Sequence, residues 1–122
     1  MSGSLLIYFI NSQADSLVRK VRPGSNLGPG GTTIPDDPTG NLSEVYFFTT
    51  AWQASDAARL LAVLAFHEAM HNLLKLGDRL HATGGMGLAA ARVEETTRLT
   101  DTNKRLMAAV MADNIPQNSS FL

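Results

Sequence analysis

The sequence contains no cysteine and only three histidines. The lack of cysteine excludes disulfide bridges, thiolate metal ligands and cysteine nucleophiles. A transition-metal site in this chain must therefore use histidine and carboxylate side chains. All three histidines, at positions 67, 71 and 81, fall within the stretch FHEAMHNLLKLGDRLHATGGMG of residues 66–87, so this stretch is where such a site is to be sought.

Charge and long hydrophobic runs are also scarce. Charged residues make up 17% of the chain and the net charge is −1, which predicts no bulk attraction to nucleic acid or to anionic lipid and favours a small or peptide-like partner. The apolar run 60–66 is far shorter than the roughly 20 residues that cross a bilayer. The apolar run 5–10 has no basic residues before it and no small-residue cleavage pattern after it, so it is a poor signal peptide. We therefore expect a cytoplasmic protein without a membrane partner.

A chain of 122 residues is the size of one ordinary domain, and we expect a single domain over residues 1–122. Branched and aromatic residues predict strands at 5–10 and 44–50. Ser55 is placed to cap a long helix over 55–76 that Gly77 ends. These elements predict an α+β fold, a small twisted sheet backed by the long helix and by a C-terminal helical segment.

Two further segments are less regular. Residues 13–22 favour a short amphipathic helix over a strand. Residues 23–41 contain four prolines and five glycines, which exclude a regular helix. A loop of this length is either a plain connector or functional. The helical segment at 88–113 is weakened by the threonine-rich sequence TTRLTDT and is expected to split near Asp101.

The long helix carries one polar stripe, which includes His67, Glu68 and His71. The stripe has the pattern H-E-x-x-H, in which two histidines one turn apart direct their imidazoles at one point while the glutamate stands beside that point. The alternative is a stripe that merely faces water. Uncharged neighbours on both sides of the motif favour the metal site, because chance matches on exposed helices tend to be richer in charge.

The motif resembles that of the zincin metallopeptidases, over residues 44–87. This resemblance implies that His67 and His71 are zinc ligands and that Glu68 is the general base in the hydrolysis of a peptide bond. It also implies that the strand at 44–50 is the cleft-edge strand, which holds an extended peptide by strand addition.

A catalytic zinc usually has three protein ligands, and His81 is the first candidate for the third. Metzincins continue the motif as H-E-x-x-H-x-x-G-x-x-H, whereas here the spacing is H-E-x-x-H-x5-G-x3-H, with Gly77 and His81. The later glycine lengthens the helix by about 4.5 Å, and the longer return segment adds up to about 3.5 Å of reach. The two changes nearly compensate. Met86 then resembles the methionine of the metzincin turn below the metal, the alternative being an ordinary core methionine.

Three carboxylates compete with His81 for the third position. Glu94 and Glu95 are expected on the following helix, at a separation from His71 somewhat like that of gluzincins, and rank second. Asp78 ranks third because it follows Gly77 too closely to turn back easily. His81 itself has the alternative of an exposed residue after a helix end.

The leading hypothesis is a zinc metalloendopeptidase, with Zn²⁺ at His67, His71 and His81, Glu68 as base, and a peptide or protein as substrate. Two rivals stay open. One is a zincin-like module that binds metal or peptide without hydrolysis, and the other is an α+β interaction module whose histidines are incidental.

Overall fold

The structure is a computed structural model, and it describes residues 6–33, 42–47, 55–87, 94 and 96–114. Three strands and three α-helices occur in these ranges, and they confirm the α+β class. In chain order they are β1 (Leu6–Ile10), α1 (Leu17–Val21), β2 (Gly31–Thr33), β3 (Leu42–Tyr46), α2 (Ala57–Leu74) and α3 (Asp101–Asn114), with 3-10 helices at Gln13–Asp15, Asp78–Thr83 and Gly85–Gly87.

The sheet has the strand order β1-β3-β2. β1 is parallel to β3, with Leu6 opposite Leu42, and β2 is antiparallel to β3, with Gly31 opposite Val45. β3 is the central strand of the described sheet, and the complete burial of Glu44, Val45 and Tyr46 fits a strand covered on both faces. The interpretation of this strand as the cleft edge is therefore wrong for its described residues, and β2 lies at that edge of the described sheet. Residues 48–50 of the predicted strand lie outside the described residues.

α1 confirms the short helix expected within 13–22. Ser16 caps it by accepting a hydrogen bond from the Arg19 backbone N–H at 3.2 Å, and the helix ends at Val21, shortly before Pro23. The described part of the proline- and glycine-rich segment, residues 23–33, contains no helix and ends in β2. Residues 34–41 lie outside the described ranges.

α2 packs the apolar side of its first half on the sheet, where Leu60, Val63 and Leu64 form a core cluster with Val45. Its N-cap is Asp56 rather than Ser55, because the Asp56 carboxylate accepts from the Arg59 N–H at 3.0 Å. The predicted C-terminal end is also wrong. The helix stops at Leu74, and Lys75 adopts the left-handed conformation with φ 54°.

α3 begins at Asp101, which confirms the break expected near this residue. The helical expectation for 96–100 is wrong. Thr100 and Asn103 form a reciprocal cap there, each side chain accepting a hydrogen bond from the backbone N–H of the other, a variant of the capping box. Residues 88–93 and 95 lie outside the described ranges. Among the described residues, none of the helices has the length and apolar character that a membrane span needs.

Candidate metal centre

The polar stripe of α2 is buried. His67 is 1% exposed, Glu68 2% and His71 9%, so the interpretation of a water-facing stripe is wrong. The exposed positions of the helix instead include Ala58, Arg59, Ala62 and Leu73. Polar side chains are costly to bury without partners, and this burial therefore requires specific interactions at the site.

His81 returns to the two helical histidines. Because α2 ends at Leu74 and Lys75 reverses the chain direction, the later position of Gly77 does not lengthen the helix. The following 3-10 helix, Asp78–Thr83, carries His81, whose Nε2 lies 3.2 Å from Nε2 of His71.

The three imidazoles form a compact cluster that can hold a metal ion. One nitrogen of each lies within 4.8 Å of the others, and Nε2 of His67 is 3.0 Å from Nε2 of His71. The ring of His71 stands nearly perpendicular to the other two, at 89° and 82°. Of the described residues, only these three form such a group.

Two of the histidines have their tautomer determined by the backbone. Nδ1 of His67 lies 2.8 Å from the Met86 carbonyl oxygen, and Nδ1 of His71 lies 2.6 Å from the Leu76 carbonyl oxygen. A carbonyl oxygen only accepts, so each Nδ1 carries the hydrogen and each Nε2 presents a lone pair. Two lone pairs facing each other at 3.0 Å repel unless a cation lies between them.

Electrostatics keep these two imidazoles neutral. Burial lowers the pKa of His67 to about 4, and charge on His71 or His81 lowers it further, while the hydrogen bond to Met86 opposes this. Burial likewise lowers the pKa of His71. A neutral imidazole is the form that binds metal, so both side chains are in the form in which they could hold an ion at neutral pH.

Glu68 stands beside the cluster. Its Oε2 is 3.8 Å from Nε2 of His67, and its Oε1 accepts a 2.8 Å hydrogen bond from the Thr33 hydroxyl. Burial raises the pKa of Glu68 to about 7, which the bond from Thr33 partly opposes. Gly31 leaves room for this carboxylate, since a Cβ there would lie 2.9 Å from Oε2 of Glu68 and 2.5 Å from the carbonyl oxygen of Glu44.

Met86 contributes its carbonyl group to the site, and its side chain packs against the core cluster. The packing of the Met86 side chain on the core fits the alternative of a core methionine, and its resemblance to the methionine of the metzincin turn stays a prediction. Asn103 of α3, which sequence reasoning missed, holds the turn around Met86 by accepting from the Met86 N–H at 2.9 Å. The threonine and asparagine three positions apart, at 100 and 103, were the available signal for a helix start.

The two competing third ligands that the structure describes do not join the cluster. Glu94 is exposed and is not part of the group of clustered ligand atoms among the described residues. Asp78 is also outside that group, with a fully exposed side chain 3.8 Å from Nδ1 of His81. Glu95 lies outside the described residues.

A cavity of about 400 Å³ adjoins the three imidazoles. It is lined on the sheet side by residues from the proline- and glycine-rich segment, including Pro29, Thr32 and Thr33, and by Gly77 and Asp78 of the turn after α2. The described part of this long segment therefore forms one wall of the cavity, and a functional role for it stays a prediction.

A second cluster of buried polar side chains, which sequence reasoning also missed, supports the proline- and glycine-rich segment. The fully buried Glu44 carboxylate accepts from the Ser16 hydroxyl at 2.9 Å and from the Val18 N–H at 2.6 Å. The Tyr46 hydroxyl lies 2.8 Å from Oε2 of Glu44 and 2.8 Å from Oγ1 of Thr32. Burial raises the pKa of Tyr46, so its hydroxyl stays protonated, and the group links α1, β3 and β2.

No protein-family model, curated protein or solved structure matches this chain. The function is therefore argued from the site itself.

Proposed function

We propose that the protein is a zinc-dependent enzyme that hydrolyses peptide bonds, of the metzincin-like type. The observation that carries the proposal is the convergence of three histidine nitrogens within 4.8 Å, with the Glu68 carboxylate 3.8 Å from one of them.

The donor set suits zinc. His67, His71 and His81 would hold the ion, and three imidazoles with one position left for water or substrate are an established catalytic zinc arrangement. The hydrogen bonds from Nδ1 to the carbonyls of Met86 and Leu76 are outer contacts of the kind that orient zinc-binding histidines. A bound zinc ion supplies a Lewis acid, which polarises a carbonyl group and lowers the pKa of water.

Glu68 is the group that moves the proton. Oε1 is engaged by Thr33, so Oε2 is the atom that accepts a proton from the attacking water as its oxygen bonds to the amide carbon. The same carboxyl then gives that proton to the departing nitrogen as the carbon–nitrogen bond breaks, which returns Glu68 to its starting state.

The substrate is proposed to lie as an extended peptide along β2. Gly31, Thr32 and Thr33 line the cavity beside the histidines, and a strand edge offers backbone groups for pairing with an added strand. Gly31 and Thr32 are buried and Thr33 is half-buried, so the proposed peptide would reach this strand through the cavity.

The first experiment measures metal and turnover together. Protein purified without a histidine tag is expected to contain near-stoichiometric zinc and to cleave members of a peptide library. Glu68→Gln is expected to retain the zinc and lose turnover, because it removes the proton acceptor and no metal ligand. Glu94→Gln, which changes an exposed glutamate, is the matched control and should cleave normally. Peptidase activity in Glu68→Gln would contradict the role of this residue.

The alternative is a zincin-like module that binds metal or peptide without hydrolysis. The burial of Glu68, at 2% exposure, favours it, because a general base must reach water. Stoichiometric zinc without cleavage of any library member would support this alternative, and the absence of bound metal would support incidental histidines.

A further inference from the structure

Asn103 is a fully buried polar residue near the start of α3, and it makes more hydrogen bonds than a helix cap requires. Besides accepting from the Thr100 N–H at 3.2 Å, its Oδ1 accepts from the Met86 N–H at 2.9 Å. Its Nδ2 donates to the Gly84 carbonyl oxygen at 3.1 Å. The side-chain amide thus joins α3 to the turn 84–87.

These bonds determine the orientation of one peptide group. The Gly87 N–H donates to the Gly84 carbonyl at 2.9 Å, the carbonyl that Asn103 also holds, and this N–H belongs to the same peptide plane as the Met86 carbonyl. Asn103 therefore holds the turn on both sides of Met86. Gly85 packs closely against the side chain of Asn103. Its φ is 55°, and an added Cβ would lie 2.5 Å from Oδ1 of Asn103.

The Met86 carbonyl is the acceptor for Nδ1 of His67 at 2.8 Å. We propose that Asn103 is a positioning residue for the metal centre: by fixing the Met86 carbonyl, it holds His67 in the tautomer whose Nε2 is free to bind metal. The metal-binding part of this inference rests on the proposed function. His71 depends on a separate acceptor, the Leu76 carbonyl, and does not require Asn103.

The direct test is the tautomer of each histidine in metal-free protein, read from imidazole ¹⁵N chemical shifts above pH 7. In the wild type, His67 and His71 are both expected as the Nδ1–H form. In Asn103→Ala, His67 is expected to shift toward a mixture of tautomers while His71 stays unchanged, a contrast that general destabilisation would not produce. Thr100→Ala is the matched control, since it damages the same helix cap but leaves the amide of Asn103 in place.

The second measurement is metal affinity, by competition with a chelator. Outer contacts of metal-binding histidines typically contribute 10- to 100-fold, so Asn103→Ala is expected to weaken zinc binding about tenfold, and Thr100→Ala is expected to bind as the wild type does. If Asn103→Ala does not fold, Asn103→Asp keeps an acceptor for the Met86 N–H, replaces the donor to Gly84 with a carboxyl oxygen that also introduces an ionisable group, and should shift the His67 tautomer in the same direction.

The outcomes separate the two proposals. An unchanged His67 tautomer in both Asn103 variants overturns the positioning role, whether or not the protein binds zinc. A shifted tautomer with unchanged zinc affinity overturns the link to the metal. A wild type that shows the expected tautomers but binds no zinc leaves the role of Asn103 in orienting His67 intact and removes the proposed metal centre.

Discussion

At the scale of single residues, the site depends on which nitrogen of each imidazole carries the hydrogen. His67 and His71 both give their Nδ1 hydrogen to a backbone carbonyl, which leaves two Nε2 lone pairs 3.0 Å apart. The Glu68 carboxylate is also oriented by a hydrogen bond, in which the Thr33 hydroxyl donates to its Oε1 at 2.8 Å. The same hydroxyl lies 2.7 Å from Oγ of Ser43.

Replacement of Thr33 tests that contact. Thr33→Val keeps the shape of the side chain and removes the hydroxyl, so the buried Glu68 carboxylate loses its partner. We expect the free energy of unfolding to fall by about 1 to 3 kcal/mol in urea denaturation and kcat to fall with no loss of bound zinc. Thr33→Ser, which keeps the hydroxyl, is expected to lie close to the wild type in both measurements. Equal stability and kcat for the two variants would count against this role.

At the scale of elements, the end of α2 determines whether His81 can reach the site. The helix stops at Leu74 because Lys75 takes the left-handed conformation, with φ 54° and ψ 39°. This conformation is unfavourable for residues with a Cβ and is usually taken by glycine at a helix end. A lysine in an unfavourable backbone conformation therefore ends α2 and begins the segment that brings His81 back to the other two histidines.

Lys75→Gly is expected to be more stable than Lys75→Ala by about 0.5 to 1 kcal/mol in thermal or urea unfolding, after allowance for the greater freedom of glycine in the unfolded chain. Both variants lose the contact between the Lys75 ammonium and Asn72, so their difference isolates the backbone conformation. An alanine variant as stable as the glycine variant would show that the helix does not end with a left-handed residue in solution.

At the scale of the whole molecule, the centre joins α2, the turn at 78–83, the turn at 85–87 and the strand β2. Buried polar groups hold these parts together, and the Glu44 carboxylate with the Tyr46 hydroxyl supports the segment that lines the cavity. Such groups contribute to specificity only while every member has a partner.

The two tyrosines of the chain provide a test of this support. Tyr46→Phe leaves Glu44 and Thr32 without one buried partner, and we expect the free energy of unfolding to decrease by about 1 to 3 kcal/mol. Tyr8→Phe is the control, because Tyr8 is 42% exposed, and it should unfold as the wild type does. Both variants are measured by urea denaturation. Equal midpoints for Tyr46→Phe and Tyr8→Phe would contradict the prediction.

Zinc is expected to stabilise the whole fold, because the ligands come from separate elements that are brought together only in the folded chain. At a zinc concentration 100 times Kd the gain is about 2.7 kcal/mol, which should raise Tm by roughly 10 °C. His71→Ala should abolish this shift and Glu68→Gln should retain it, as measured by calorimetry with and without a chelator. A shift of the wild-type size in His71→Ala would exclude the proposed ligand set.

The sequence alone determined what depends on local spacing. Four residues on a helix place His67 and His71 one turn apart with Glu68 beside them, and the strand and helix patterns yielded the α+β class. The tertiary structure decided the rest. Burial of the polar stripe, the return of His81 after Lys75, and the bonds from Thr33 and Asn103 depend on contacts between residues far apart in the chain, 35 positions in the case of Thr33 and Glu68. Periodicity describes one segment at a time, whereas these contacts form only when β2 and α3 pack against α2.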